Sequence, residues 1–164
     1  MTIRDFDPAK GCAFQGDVAI VPVPAAIAAK LNRGEEIQPV HGRLILQEGE
    51  VTGHHHAITL ERPVSRREPL ANPSLEVERL MSDALDGKIA LPSARMFRDQ
   101  AIAEAMRAAG ILTRTDLCVG ILSVEVGPMT VTHEEHDGIR LPIGCYYIGR
   151  QVESAGAEER RVAD

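Results

Sequence analysis

Four apolar residues, Val18, Ala19, Ile20 and Val21, follow Gly16 and Asp17, and Pro22 and Pro24 close the run. Proline has no N–H to offer a sheet ladder, so the pattern predicts a strand over 18–21. Residues 25–31 read as a short helix, since Pro24 suits a first turn, and Asn32, Arg33 and Gly34 supply its stop. A second strand is predicted over 43–47, rich in Leu and Ile with weak alternation and therefore buried. Gly49 and Gly53 bracket a turn or bulge, and 54–60 reads as a third strand.

From Arg62 the texture changes. Pro63, Pro69 and Pro73 make a stiff connector, and Ser74 is placed to cap a helix over 75–85 that Gly87 ends. After Pro92, Ser93 is placed to cap a second helix over 94–109. Met96, Phe97, Ile102 and Met106 would line one side of it, Arg98, Asp99, Glu104 and Arg107 would lie elsewhere, and Gly110 is the stop. Strand texture returns over 117–126 and, past the turn signal Gly127-Pro128, over 129–132. Asp137-Gly138 signals a further turn, and 145–151 reads as the last strand. A polar tail, 153–164, should have mobile ends.

The whole pattern predicts a mainly β (α+β) protein of one domain over 1–164. Its core would be a small antiparallel β-barrel or sandwich built from 15–61 and 117–152, interrupted by a helical insertion at 62–116. No internal repeat or low-complexity block is visible.

Composition narrows the function. With 44% apolar and 26% charged residues, 164 residues make a soluble globular chain and not a disordered one. A net charge of −6 argues against a nucleic-acid partner, whose phosphates need a basic footprint. Three Phe, two Tyr and no Trp are too few for a base-stacking platform. Cys12, Cys118 and Cys145 have no ligand spacing and leave an odd thiol, which fits a reducing compartment. The polar start, residues 1–5, lacks the apolar stretch of a signal peptide, and the longest apolar run, 18–29, is broken by prolines and too short for a bilayer. The expectation is a cytoplasmic protein, or one in a particle assembled there, with no membrane partner.

Histidine carries the chemistry. Five of the six histidines fall in two clusters: His54, His55 and His56, and the segment His133, Glu134, Glu135, His136. On a strand, alternate side chains share a face, so His54 and His56 would point one way, roughly 6–7 Å apart at Cα, with His55 opposite. Two imidazoles so placed can chelate one divalent transition metal, such as Zn, Ni or Fe, and a carboxylate beside them favours Fe or Mn. His133 and His136 would share a helix face but oppose each other on a strand, so spacing alone leaves their geometry open. Either can complete a metal site, while Glu134 or Glu135 acts as ligand, orienter or proton acceptor. The plainer alternative is an acidic, solvated turn. His41 reads as structural, Cys118 as core, and Cys145 as a core thiol or a thiolate near the second cluster.

Three functions follow, in order. The first is a metal-binding β-domain using His54, His56, His133 and His136, catalytic if a coordination position stays open to water and metal-handling if it is closed. The second is a non-catalytic assembly protein, with a homo-oligomer or a partner, whose clusters stabilise contacts. The third is a metal-free acid–base enzyme using His133 or His136 with Glu134 or Glu135 beside it.

Two resemblances bear on these. Residues 49–61 resemble the first cupin motif, with His54, His56 and Glu61 in place and Gly49 one residue too close to His54. Gly138, Pro142 and Gly144 echo the second motif, but Tyr147 stands where it has histidine, and His133 and His136 precede that frame. The resemblance implies a double-sheet jelly roll holding a metal. The chain also resembles small uncharacterised bacterial and phage-associated proteins that share G-E-V-T-G-H-x-H, H-E-E-H and L-P-x-G-x-Y segments and an R-Q pair. Here these are residues 49–56, 133–136 and 141–146, with Arg150 and Gln151. That likeness implies a role in a virion or gene-transfer particle for an assembly protein.

Overall fold

The computed structural model describes residues 2–48, 54–60, 71–86, 94–155 and 158–161. Two open sheets face each other, so the sandwich form of the expected fold is realised and no barrel closes. The five-stranded sheet has β1 (Ile3–Asp5), β10 (Gly138–Leu141), β9 (Met129–Thr132), β6 (His55–Thr59) and β5 (Arg43–Glu48), in that order. The six-stranded sheet runs β2 (Ala13–Gln15), β3 (Val18–Pro22), β11 (Gly144–Arg150), β8 (Cys118–Val124), β7 (Ala94–Phe97), β4 (Glu36–Ile37). Pairing is antiparallel except between β1 and β10.

Period-two burial explains the layers. Val18 and Ile20 of β3, Leu122 and Val124 of β8, and Tyr146 and Ile148 of β11 turn inward to meet Leu44, Leu46, Ile58, Val131, Ile139 and Leu141 of the opposite sheet. The alternate residues Ile121 and Tyr147 face outward, where Val23 and α3 (Gln100–Ala108) cover them with Ile102, Ala103 and Met106. The six-stranded sheet is thus packed on both faces. Among the described residues, no helix is long and apolar enough to cross a membrane.

Several expected elements shift. The short helix after Pro24, α1, covers only Ala25–Ala28. The helix predicted over 75–85 is α2, Pro73–Leu85, and Asn72 Oδ1 accepts from the Ser74 N–H. The helix predicted over 94–109 is two elements. Ala94, Met96 and Phe97 are buried in strand β7, with Arg95 outward and forked onto Glu36 of β4. The helix begins only at Gln100, where Asp99 Oδ1 accepts from the N–H groups of Ala101 and Ile102. Asp99 takes the capping role expected of Ser93, a residue type of similar capping strength, and the helix starts six residues later. The stretch expected as a helical insertion therefore places a strand inside the six-stranded sheet. The tail also differs, because β12 (Val152–Ala155) and β13 (Glu158–Arg161) pair as an antiparallel ribbon. Gly49, Gly53, Glu61, Pro63, Pro69, Gly87, Pro92 and Ser93 lie outside the described residues.

Candidate metal centre

Register builds the site. β6 and β9 run antiparallel, with Ala57 opposite Thr132 and Ile58 opposite Val131. One step further puts His56 opposite His133, where β9 ends and the 133–137 loop begins. Their rings stack with centroids 4.2 Å apart and planes 25° from parallel. His54 meets His133 edge-on at 5.6 Å, and His136 stacks on the other side of the group, 4.5 Å from His133 and 5.9 Å from His56. Four imidazoles from two distant stretches thus share one spot. His55, on the opposite side of the strand, enters through its backbone, whose N–H donates to Glu134 Oε2 at 3.1 Å.

The members are not equivalent. His56 and His133 are buried, whereas the His54 side chain is 30% exposed and both glutamates are exposed. One ligand atom each from His54, His133 and Glu134 lies within 4.8 Å of the others, close enough for a single cation to be shared. Glu134's own N–H, then the His55 N–H and the nearby imidazoles, hold its carboxyl below the usual range against a smaller opposing effect of burial. A carboxylate kept ionised beside two imidazoles is a cation-binding arrangement. Glu135 Oε2 lies 3.6 Å from His54 Nδ1, and the Glu135 N–H donates to His133 Nδ1 at 3.0 Å.

His56, expected among the ligands, faces the turn between β2 and β3. Its Nδ1 is 2.8 Å from Gln15 Oε1, and its Nε2 is 2.9 Å from Asp17 Oδ1. Gln15, Gly16 and Asp17 form the turn between β2 and β3 in the opposite sheet. The sequence marks this turn by its glycine between polar residues, but its contacts lie up to 122 positions away, beyond any local pattern.

The other candidates fall elsewhere. Cys145, with Cys118, packs against the helix-covered cluster on the outer face of the six-stranded sheet. Burial pushes both thiols up to about 11, so neither is a thiolate near neutral pH. His41, with φ +50°, sits in the tight turn closed by Val40 and Arg43. Tyr147, at the cupin-like histidine position, is a core residue under α3.

Fold and site together define an open two-sheet β-sandwich with a histidine–glutamate cluster at one end. Residues 14–84, less than half of the chain, match the model of a family described as a domain of unknown function (DUF8820). That span carries Gln15, Gly16, Asp17, His54 and His56, and ends before the 133–137 loop. No curated protein and no solved structure matches the chain.

Proposed function

We propose that this protein binds one divalent transition metal ion through His54, His133 and Glu134. The observation that carries the reading is the convergence of their three ligand atoms within 4.8 Å. Two imidazoles and one carboxylate suit Zn, Fe(II), Ni or Mn, and three protein ligands leave coordination positions for water or substrate. An ion there would lower the pKa of bound water, with Glu135 and His136 at hand as proton acceptors. An open position makes a metal-dependent enzyme the reading to pursue ahead of simple metal storage.

Binding has a structural consequence. An imidazole that accepts at Nδ1 carries its proton on Nε2. A cation at Nδ1 takes the lone pair that the Glu135 N–H uses. A cation at Nε2 drives the proton to Nδ1. Either way the Glu135 amide is released. Titration of the metal-stripped chain with Co(II) or Zn(II) should show one ion per chain, strongly weakened in His54→Ala and Glu134→Gln, and faster exchange of the Glu135 amide. Binding that is absent, or equal in wild type and both variants, removes the reading. A chain that binds no metal would favour the metal-free acid–base alternative, for which the 3.6 Å approach of Glu135 to His54 is the supporting observation.

A further inference from the structure

We propose that the β2–β3 turn is the positioning element of this metal centre, and that His56 belongs to it as a positioning residue and not as a ligand. The inference rests on the metal reading above. Gln15 is fixed at three points. Its Nε2 donates to the carbonyls of Val131, at 3.2 Å, and Asp137, at 2.7 Å, so its Oε1 must face His56 Nδ1, which is the donor. Those carbonyls lie on β9 and just before β10, so one buried amide clamps both ends of the loop that carries His133 and Glu134.

The Asp17 carboxylate stands against the other edge of the His56 ring as a charge contact, Oδ1 2.9 Å from Nε2. It is braced in turn by Gln47, whose Nε2 donates to Asp17 Oδ2 at 3.5 Å and whose Oε1 accepts from Arg150 Nε at 2.9 Å. With Nδ1 donating to Gln15 and Nε2 facing the Asp17 carboxylate, both ring nitrogens of His56 are turned to the β2–β3 turn, and His56 supplies no atom to the group formed by His54, His133 and Glu134. What it offers is a fixed, flat, buried face against which His133 lies. Gly16 completes the cradle, because a side chain there would begin 2.6 Å from His136 Nε2 and 3.2 Å from His56 Cε1. The ligand-bearing sheet is thus trued by a turn of the opposite sheet. This is the outer-layer role that tunes ligand orientation in metal sites, where its loss typically costs about 10–100-fold in affinity.

The test is Co(II) titration of the full chain as wild type, Gln15→Met and Asp17→Asn, read by affinity and by the visible ligand-field spectrum, with far-UV circular dichroism to confirm folding. Gln15→Met keeps the bulk but can hold neither carbonyl nor His56. The expected result is one ion per chain in each protein, affinity lowered about 10–100-fold in the variants, and a shifted spectrum as His133 loses its set angle. A folded Gln15→Met with wild-type affinity and spectrum overturns the proposal and leaves the metal centre standing. Should neither variant fold, nitrogen-15 spectra of the wild-type imidazoles with and without Zn(II) decide. His54 and His133 should show metal-bound nitrogens and His56 none, while a metal-bound His56 overturns the proposal. A wild type that takes up neither ion removes the metal reading itself, and this inference with it.

Discussion

Gly16→Ala measures how tightly the imidazole cluster presses on the β2–β3 turn. Gly16 has φ +56°, a left-handed conformation that costs an alanine about 1–2 kcal/mol. The added Cβ would also stand 2.6 Å from His136 Nε2 and 3.0 Å from His136 Cδ2. His136 must then move by most of an ångström, since His56 on the other side is held by Gln15 and Asp17. Overpacking of this kind costs about 1–3 kcal/mol. The sum is roughly 2–5 kcal/mol, which for a chain of this size lowers Tm by roughly 4–20 °C. Gly110→Ala is the control. Gly110 follows α3 at φ +79°, and nothing lies within 4 Å of where its Cβ would be, so it reports the backbone cost alone. Thermal unfolding followed by circular dichroism should rank Gly16→Ala well below Gly110→Ala. Equal losses in the two would refute the close approach of His136 to the turn.

The remaining predictions concern the six-stranded sheet and its helix cover. Asp99→Ala should destabilise the chain by roughly 2–3 kcal/mol in denaturant unfolding, because Asp99 caps α3 and also accepts from the Asn32 N–H at 2.8 Å. A loss near zero would show that α3 does not depend on this cap. Thiol labelling at pH 8 should modify exposed Cys12 first. Cys118 and Cys145, pushed up to about 11 by burial, should follow slowly and speed up as pH rises toward that value; three equal rates would contradict their burial.

Much of the arrangement was legible along the chain, and the physics says which part. Strands 18–21 and 43–47 announced themselves through apolar runs, and 129–132 through its alternation of Met129 and Val131 with Thr130 and Thr132, because burial on a pleated surface imposes that texture. The sharing of one side by His54 and His56 followed from strand alternation. Their meeting with His133 did not, because it depends on the Ala57–Thr132 register between segments 75 residues apart. Residues 94–97 misled because Met96 and Phe97 fit both a helical stripe extending to Ile102 and a half-buried strand. Asp99, a second cap candidate six positions after Ser93, was the signal that separates the two. Gln15 and Asp17 went unmarked as site residues since a polar side chain beside a turn glycine ordinarily faces water. Their burial is a property of the assembled sandwich.

The strand order bears on where this protein can be divided. The stretch of family likeness, 14–84, takes in β3, β4 and β6, whose other neighbours β11, β7 and β9 all come later in the chain. Expressed alone, that fragment would leave three raw flanks of ladder groups open to any passing strand, and half a constellation of imidazoles. The stretch of likeness and the stretch able to fold alone therefore have different borders here, and truncation studies should keep the C-terminal half.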